Sequence, residues 1–543
     1  MDYQKLAQLL YPDIDKTPEY YEEKYPPRDL PEGAKVTRFA PSPTGFVHFG
    51  GLFPVTVCER LAHQSGGVFM LRIEDTDSKR EVEGAEMDII RAFEHFGIRF
   101  DESIVHGGDY GPYRQSDRKD IYQCYAKYLV ANGHAYPCFC TAEELDELRA
   151  RQEEAKVTPG YYGEYVRCRD LSYEEVEANL KAGKPFVLRF RSNGNAENKV
   201  KITDLIKGNL EITENSIDHV LLKSDGIPTY HMAHAVDDHL MRTTHVIRGE
   251  EWLPSLPYHV QLFQALGFKL PKYMHISQLM RLEGTAKKKL SKRDAGAGIT
   301  YYFSEGYAPE CVTEYVMTLL NSNFEDWRRA NPAENIDKFP FAIKKMSPSG
   351  CLFDMAKLND VCKNVVSRMD AATVYEKVTG WAEEYDPELF ALLTRDPDYS
   401  RRILGIGRGG AKPRKDIALW KEVKEYVSFF FEELFKVTAE MPANVEPADR
   451  VKILTAFAES YDATADQTAW FDGIRAIAES VGYAGDMKAY KAEPEKYRGH
   501  IGDVSMCLRV AVTGRESSPD MYEVMKILGA ERVAARCLAA AKA

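Results

Sequence analysis

Cysteine is sparse in this chain, and long apolar runs are missing. Ten cysteines among 543 residues do not make a disulfide framework, and no window is apolar enough to span a membrane. The first residues, Met-Asp-Tyr-Gln-Lys, lack the basic-then-apolar pattern of a signal peptide. We therefore expect a protein of the reducing cytoplasm that has no membrane partner.

The chain also has too little positive charge for a general nucleic-acid binder. Its 83 acidic residues outnumber its 71 lysines and arginines, for a formal net charge of −12, whereas nucleic-acid-binding domains are usually basic. This balance still permits a large enzyme that concentrates positive charge on one face. No internal repeat or low-complexity tract occurs, and a chain of this length that is 44% hydrophobic predicts about three or four domains with a sizeable core.

The most informative stretch is an Arg-Phe-Ala-Pro-Ser-Pro-Thr-Gly-Phe-Val-His-Phe-Gly-Gly run over residues 38–51. Val36 to Phe39 favours a strand, and a helical pattern begins at Leu52 and reaches about His63. Two prolines and a glycine between them forbid regular structure, so the pattern predicts a strand–turn–helix unit.

The end of this turn has the composition of an anion-binding site. Gly50 and Gly51 let the backbone approach a ligand, and the helix N-terminus that follows would offer free N–H groups to an anion. His48 stands where a phosphate would lie. From these residues alone, an ordinary strand–helix turn with a solvent-facing histidine remains the alternative.

The run resembles the HIGH signature of the class I aminoacyl-tRNA synthetases, in the form used by the glutamyl-tRNA synthetases. Gly51 stands where the class pattern ends in histidine, as is common in the glutamyl family. The related glutaminyl enzymes usually have a Pro-Pro-Glu-Pro-Asn-Gly-type run where this chain has Ala-Pro-Ser-Pro-Thr-Gly over residues 40–45. The resemblance implies that ATP binds at His48, Gly50 and Gly51.

A second strand and helix are predicted at Val68 to Ile73 and at Ala85 to Phe96, and this alternation favours a parallel sheet. Acids that follow such a strand lie where open α/β sheets bind ligands, although they are also common as turns or helix caps. The Arg-Ile-Glu-Asp-Thr-Asp run here is a further family marker and implies that Glu74 binds the amino group of the substrate. The resemblance implies a glutamate site made of Arg38, Ala40, Ser42, Glu74, Tyr230 and Arg248.

Arg248 suits a carboxylate ligand, because a planar guanidinium pairs with a carboxylate through two hydrogen bonds. Without the resemblance, a surface salt bridge would be the simpler interpretation. Trp252, four residues later, is a candidate contact for tRNA.

Three cysteines fall in a region that the family uses as an insertion gripping the acceptor end of the tRNA. Cys138, Cys140 and Cys168 resemble the zinc ligands of some members, and thiolates at this spacing suit tetrahedral zinc. The usual final histidine is absent, and the candidate fourth ligands are Tyr161, Tyr162, Tyr165 and Asp170. Three reduced structural thiols are the alternative.

The run Lys289-Leu-Ser-Lys292-Arg293 matches the second class I signature, KMSKS, in its glutamyl form. Small and charged residues dominate residues 281–293, so we expect a mobile, exposed loop, with a solvated basic turn as the alternative. The resemblance implies that Lys289, Lys292 and Arg293 bind ATP. It also implies that His48 and Lys292 are the catalytic residues and that Mg²⁺ bridges the phosphates.

Helical periodicity dominates after this loop, where the family has a helical anticodon-binding domain. The predicted helices are Pro309 to Leu320, Ala356 to Val366, Ile417 to Leu434, Val451 to Tyr461 and Gln467 to Val481. A basic group that either contacts tRNA or forms a solvated loop consists of Arg401, Arg402, Arg408, Lys412, Arg414 and Lys415. We single out Arg408 and Arg414 as tRNA-binding candidates.

Together these observations predict an α/β, Rossmann-like class I synthetase catalytic domain split by an acceptor-binding insertion and followed by an all-helical anticodon-binding domain. The expected divisions are an N-terminal extension (1–35), two catalytic halves (36–115 and 220–300), the insertion (116–219), a stem-contact segment (301–370) and the helical domain (371–543).

The implied activity is the ATP-dependent attachment of L-glutamate to the 3′ end of tRNA(Glu), through a glutamyl-adenylate, by a monomer. The alternatives are another class I adenylyl- or nucleotidyl-transferase and a non-catalytic tRNA-binding relative. The long helical second half argues against the first alternative. Intact His48, Glu74 and Lys292 argue against the second.

Overall fold

The computed structural model describes residues 1–45, 47–77, 82–290 and 296–542. The chain forms two compact units. The first unit comprises Met1–Tyr301 and Val316–Asp354, and the second comprises Tyr302–Tyr315 and Met355–Ala543. Within the described ranges, no helix combines the length and the apolar character needed to cross a bilayer.

Helices occur in both units, and the strands that the structure describes all lie in the first. The helices are α1 (Tyr3–Leu10), α2 (Pro18–Lys24), α3 (Leu52–His63), α4 (Ala85–His95), α5 (Lys119–Ala131), α6 (Ala142–Glu154), α7 (Tyr173–Lys181), α8 (Tyr230–Leu240), α9 (Leu256–Ala265), α10 (Ile299–Glu305), α11 (Pro309–Leu320), α12 (Phe324–Ala330), α13 (Met355–Arg368), α14 (Ala371–Tyr385), α15 (Pro387–Arg395), α16 (Pro397–Leu404), α17 (Val423–Val427), α18 (Pro447–Ser460), α19 (Gln467–Ser480), α20 (Met487–Ala492), α21 (Ile501–Thr513), α22 (Met521–Leu528) and α23 (Ala530–Lys542). The strands are β1 (Val36–Phe39), β2 (Val68–Leu71), β3 (Ala135–Cys138), β4 (Val187–Phe190), β5 (Lys199–Asp204), β6 (Gly208–Thr213), β7 (Val220–Leu222), β8 (His245–Gly249), β9 (Lys272–Ile276), β10 (Leu279–Glu283), β11 (Ala286–Lys289) and β12 (Cys351–Leu352).

Parallel strands form the centre of the first unit. β1 pairs with β2, with Val36 opposite Val68, and β8 pairs with β9 in the same sense. The backbone N–H of Thr244 donates to the carbonyl oxygen of Val36 at 2.9 Å, which brings the start of β8 beside β1. The predicted parallel arrangement is confirmed, and it gathers the C-terminal ends of these strands at one edge, where α/β sheets bind ligands.

The strand–turn–helix unit has the predicted bounds. β1 ends at Phe39, a 3-10 turn covers Phe49–Gly51, and α3 follows directly. Most of α3 is buried, from Leu52 to Ala62, so the helix is fixed in the core and holds the turn that precedes it in place.

The N-terminal extension belongs to the core of the first unit. α1 packs against α5, and Leu6 and Tyr21 share one hydrophobic cluster with residues of α5 and α8. Arg28 donates two hydrogen bonds to Glu102, at 2.6 and 2.8 Å, and a third to the carbonyl oxygen of Met241, just after α8. The extension therefore braces α8, the helix that carries several side chains of the site described below.

The segment before the second signature is a hairpin rather than the loop expected from its composition. β10 and β11 pair antiparallel, with Met280 opposite Lys289, around a two-residue turn in which Gly284 has a φ of +63°. A glycine with positive φ is typical of tight hairpin turns. The hairpin is exposed near its tip, as expected, since Leu282 is 53% accessible.

Three helices of the second unit, α14 to α16, were not predicted. Each begins at an aspartate whose carboxylate accepts a backbone N–H three residues later, namely Asp370, Asp386 and Asp396. Proline follows the latter two directly. An N-cap aspartate followed by proline is a helix-start signal that would have located α15 and α16. Four predicted helices are confirmed: α11 has the predicted bounds, whereas α13, α18 and α19 have shifted ends.

The predicted helix from Ile417 to Leu434 is wrong. The chain there forms a 3-10 turn, the short helix α17 and a second 3-10 turn over Ser428–Phe430. Three successive phenylalanines, at 429, 430 and 431, are at most 3% exposed. Because successive helical side chains point in different directions, one helix face cannot bury all three, and the backbone becomes extended at Phe431.

Candidate functional site

A cavity of about 590 Å³ lies against the strand–turn–helix unit. His48, Gly50, Gly51 and Lys289, four of the residues predicted to bind ATP, line its wall. Glu251, Gln278 and other residues that follow β8 and β9 complete it. The structure thus brings parts of the two signatures, about 240 residues apart in sequence, to one cavity.

His48 is oriented by its own turn. Its Nδ1 accepts the backbone N–H of Gly50 at 2.9 Å, so the neutral imidazole carries its proton on Nε2. A Cβ at residue 50 would lie 3.0 Å from Nδ1, and glycine permits this close approach. His48 is therefore a hydrogen-bond donor of fixed tautomer at the cavity wall.

The backbone N–H groups of the two glycines are both engaged in hydrogen bonds within the turn. The amide of Gly50 donates to the His48 ring, and that of Gly51 donates to the His48 carbonyl oxygen at 2.8 Å. Both amides are used to build the 3-10 turn, so the glycines contribute space and ring orientation rather than anion-binding donors.

The second signature is only partly described. Lys289 ends β11 and is exposed. Lys292 and Arg293 lie outside the described residues, so their predicted roles in ATP binding and catalysis are not tested by the structure.

Buried ion pairs occupy the ends of the parallel strands. Asp238, on α8, accepts from Arg38 at 2.9 Å and from Arg72 at 2.8 Å, and none of the three side chains is more than 3% exposed. Burial alone would raise the pKa of Asp238, but the charges of the two arginines outweigh it and hold that pKa well below its usual range. No sequence pattern predicted a role for Asp238 or Arg72, which form a permanent buried ion cluster with Arg38.

Asp237 extends the cluster on the other side. It accepts from Arg118 at 2.7 Å, from Tyr122 at 2.8 Å and from Gln115 at 2.9 Å. Three buried arginines (Arg38, Arg72, Arg118) thus face two buried aspartates, and the cluster has one excess positive charge.

Glu74 lies beside this excess charge. Its Oε1 is 3.9 Å from Arg72 and has no hydrogen-bond partner among the described residues. Burial raises the pKa of Glu74 to about 7, despite the opposing charges of Arg72 and Arg38. Its N–H donates to the Pro41 carbonyl oxygen, which brings Glu74 alongside the turn with half-buried Ala40 and exposed Ser42.

Arg248 forms the opposite end of the site, on β8. Its Nε donates to His275 at 2.9 Å, and its Nη1 contacts His259 at 3.2 Å and Tyr230 at 3.4 Å. Its Nη2 is buried and has no partner among the described residues. The surface salt bridge that was the simpler interpretation is excluded by its 5% exposure.

Aromatic rings enclose Arg248. The ring of Tyr230 stacks on His234 with centroids 5.7 Å apart and lies 4.1 Å from the ring of Trp252. The guanidinium lies 5.9 Å from the Trp252 ring. Trp252, predicted as a tRNA contact, is thus packed against Tyr230, which is predicted to bind the substrate glutamate. Its contact with tRNA stays a prediction.

The three cysteines of the insertion come together. The Sγ atoms of Cys138, Cys140 and Cys168 lie within 4.8 Å of one another, and Cys140 is 3.6 Å from Cys168. The hydroxyl of Tyr161 is 3.6 Å from Cys138 and 3.4 Å from Cys140. Hydrogen bonds from the other two thiols lower the pKa of the Cys138 thiol.

This donor set fits zinc. Tetrahedral coordination with metal–sulfur distances of about 2.3 Å separates ligand atoms by about 3.8 Å, close to the separations observed. Among the described residues, Tyr161 is the candidate fourth ligand whose hydroxyl contacts the thiols, although Tyr165 also packs against the cluster. Tyr162 donates to the Thr158 carbonyl oxygen, and Asp170 accepts from Arg191.

The two basic residues singled out for tRNA differ. Arg408 donates to the carbonyl oxygens of Leu404, Val366 and Met369, at the ends of α16 and α13. Arg414 is more exposed and pairs with Asp416 at 2.6 Å. These bonds make Arg408 a helix-capping residue of the second unit, and its contact with tRNA remains a prediction.

Two family models match this chain. The model described as "tRNA synthetases class I (E and Q), catalytic domain" covers residues 35–360, and "Anticodon binding domain" covers residues 411–541. The first model alone accounts for more than half of the chain.

Full-length relatives agree with these models. The glutamate–tRNA ligase of Acetivibrio thermocellus is 51% identical over 541 residues, covering 99% of each chain, and that of Clostridium perfringens strain 13 is 50% identical over 545 residues, covering 99% of this chain and 100% of its own. A crystal structure of the glutamate–tRNA ligase from Elizabethkingia meningosepticum with its amino acid matches with a TM-score of 0.76 at 31% identity, covering 94% of this chain and 99% of that one. A class I catalytic domain followed by an anticodon-binding domain, with full-length similarity to glutamate–tRNA ligases, identifies the chain as a member of the class I tRNA synthetase family of the E and Q type.

Proposed function

We propose that this chain uses ATP to attach L-glutamate to the 3′ end of tRNA(Glu) through a glutamyl-adenylate, releasing diphosphate and then AMP. The observation that carries the proposal is a pair of buried groups, the Nη2 of Arg248 and the Oε1 of Glu74, that have no hydrogen-bond partner in the part of the chain that the structure describes. A cation and an acid held in this way suit a substrate that carries both a carboxylate and an ammonium group.

The orientation of glutamate follows from these two groups. Glu74 receives the α-ammonium, and Arg248 receives the side-chain carboxylate through a charge-assisted hydrogen bond. The α-carboxylate is then left to face the cavity lined by His48. The proposed glutamate site is completed by Arg38, Ala40, Ser42 and Tyr230. The Nε of Arg38 donates to Asp238.

In the first step, the α-carboxylate attacks the α-phosphorus of ATP and diphosphate leaves. The nucleophile is already ionised at neutral pH, so catalysis depends on positioning and on stabilising the phosphate charge. His48 supplies a donor at Nε2, and we assign Lys289, Lys292 and Arg293 to the phosphates. Mg²⁺, when bound, neutralises phosphate oxygens. In the second step, the terminal ribose hydroxyl of the tRNA attacks the activated carbonyl and AMP leaves.

We further propose that Cys138, Cys140, Cys168 and Tyr161 hold one zinc ion that orders the acceptor-binding insertion. The grouping of three thiols and one phenol supports this assignment. Metal analysis of protein purified without added zinc is expected to give about one zinc per chain. Full charging activity in metal-free protein would favour reduced structural thiols.

Trp252, Arg408 and Arg414 are the proposed tRNA contacts, and the proposed working state is a monomer in the cytoplasm. Sedimentation equilibrium with and without tRNA measures the oligomeric state. A dimer at assay concentrations would contradict the proposed monomer.

A charging assay with separately prepared tRNA(Glu) and tRNA(Gln) tests the function. We expect ATP-dependent transfer of labelled glutamate to tRNA(Glu), with pyrophosphate exchange that rises when tRNA is added. Rapid exchange without any transfer to tRNA would favour an adenylyl-transferase. Tight tRNA binding with neither exchange nor transfer would favour a non-catalytic relative.

A further inference from the structure

The partners of Arg248 are unusual for a buried arginine, because none of them is an acid. Two imidazoles and a phenol contact its guanidinium, and among the described residues no carboxylate forms an ion pair with it. The residues come from different elements: Arg248 and His275 are register partners on β8 and β9, and His259 lies on α9.

The permanent charge of Arg248 fixes the protons of its neighbours. A guanidinium nitrogen can only donate, so Nδ1 of His259 accepts and its proton must be on Nε2. That N–H then donates to Nδ1 of His231, which is 2.9 Å away. Both imidazoles are thereby held as neutral Nε2–H tautomers.

The same argument applies on the other side of Arg248. Nε of Arg248 donates to Nε2 of His275, so the proton of His275 must be on Nδ1, where it donates to Asp204 at 2.7 Å. The backbone N–H of His275 also donates to Asp204. The carboxylate therefore lies one imidazole away from the guanidinium instead of in contact with it.

The burial of these histidines agrees with neutral rings. His259 and His275 are fully buried. Burial is the main cause that lowers the pKa of His259 well below its usual value and the pKa of His231 to about 3. The nearby positive charge of Arg248 is a smaller cause that lowers both values further. At neutral pH, none of these rings adds charge to the pocket.

We infer that His259 and His275 are positioning residues that set the preference for a carboxylate over a carboxamide. They orient Arg248 through neutral acceptors, so its full charge remains available to the substrate side chain. An acidic partner would orient the guanidinium equally well but would cancel the charge that distinguishes glutamate from glutamine. The inference rests on the proposed glutamate activity.

A pair of nearly isosteric variants separates charge from shape. His259→Gln supplies a neutral acceptor, and His259→Glu supplies a charged one of the same length. We expect the KM for glutamate to rise a few-fold in the first variant and roughly a hundredfold in the second, because a carboxylate facing the substrate carboxylate opposes binding. The KM for ATP should change little in either. Glutamine should also be tested as an inhibitor of charging. We expect the ratio of its inhibition constant to the KM for glutamate to fall in His259→Glu and to stay nearly unchanged in His259→Gln.

Equal KM values for glutamate in the two variants would overturn the inference. If wild-type protein charges tRNA(Glu) with glutamate in the same experiment, that failure leaves the proposed function intact. Absence of charging by the wild type would instead refute the function itself.

A measurement on the wild-type protein covers the case in which His259→Glu does not fold. Two-bond ¹⁵N–¹H correlation spectra of histidine-labelled protein report the tautomer of each ring. We expect Nε2–H for His231 and His259, Nδ1–H for His275, and no protonation of the three between pH 6 and 8. A cationic ring or the opposite tautomer at His259 would contradict the inference.

Discussion

Arg72 and Arg248 are both buried cations in the first unit, but opposite kinds of partner hold them. Arg72 lies against Asp237 and Asp238, whereas Arg248 lies against His259 and His275. An ion pair satisfies charge and geometry together, and breaking it leaves an uncompensated buried charge. Neutral acceptors satisfy geometry alone. The first arrangement builds structure at the strand ends, and the second keeps a charge available for a ligand.

Among the variants that test this difference between Arg72 and Arg248, we expect the largest effect from a substitution of Asp238. Replacing it in Asp238→Asn leaves Arg38 and Arg72 without their shared carboxylate, and we expect a loss of about 3–5 kcal/mol in the free energy of unfolding. Urea unfolding of the first unit, followed by circular dichroism, measures it. The matched control is Asp170→Asn, whose carboxylate is 83% exposed in its pair with Arg191 and which should cost less than about 1 kcal/mol. Equal losses in the two variants would show that the buried cluster contributes no more than a surface pair.

Neutral acceptors also hold Arg408 in the second unit, which sharpens the comparison. Its three carbonyl partners cap two helix ends, so Arg408→Ala should reduce stability by about 1.5–3 kcal/mol, the range for hydrogen bonds to charged groups. Hydrogen exchange at α13 and α16 should quicken. Arg414→Ala, in an exposed pair, should instead raise the KM for tRNA with little loss of stability. A purely tRNA-dependent effect at Arg408 would contradict the capping role.

At Arg248, the expected effect lies in substrate use rather than in folding. Arg248→Lys keeps the charge but loses the planar fork, and we expect the KM for glutamate to rise roughly tenfold, or about 1.4 kcal/mol, while the KM for ATP is nearly constant. Arg149→Lys, in an exposed pair on α6, is the control. Steady-state charging kinetics measure both KM values. An unchanged KM for glutamate in Arg248→Lys would show that Arg248 does not bind the substrate.

The smallest effect concerns Glu74 and pH. Its pKa is about 7 in the protein without substrate, and a substrate ammonium prefers the ionised carboxylate. Lowering the pH protonates Glu74 and weakens glutamate binding, so the KM for glutamate should rise about fourfold between pH 8 and pH 6.5. Burial destabilises the ionised form, so this residue's contribution to folding stability falls as pH rises from about 4.5 to 7. Glu74→Gln should bind glutamate more weakly at pH 8 and show a flatter profile, whereas an identical profile would exclude Glu74 as the titrating group.

Local patterns predicted the elements whose signals are short-range. The bounds of β1 and α3 follow from strand-forming residues, turn residues and helical periodicity, and they match the structure. The failed helix at residues 417–434 has a long-range cause, since burial of three consecutive phenylalanines is decided by what surrounds them. The hairpin of β10 and β11 was missed because charged residues hid its alternation, although Gly284 was a usable turn signal.

By itself, the sequence determined the chemistry that the protein carries. The two signatures, the acid after β2, the arginine on β8 and the spacing of three cysteines are all properties of neighbouring residues, and the family follows from them. Tertiary structure alone decided which groups face each other. It brought the hydroxyl of Tyr161 beside the three thiols, paired Asp237 and Asp238 with buried arginines, and placed His259 and His275 around Arg248. The physical reason is that hydrogen bonds and ion pairs depend on distances of about 3 Å. Parallel strands and packed helices bring residues together at that distance from positions far apart in the chain.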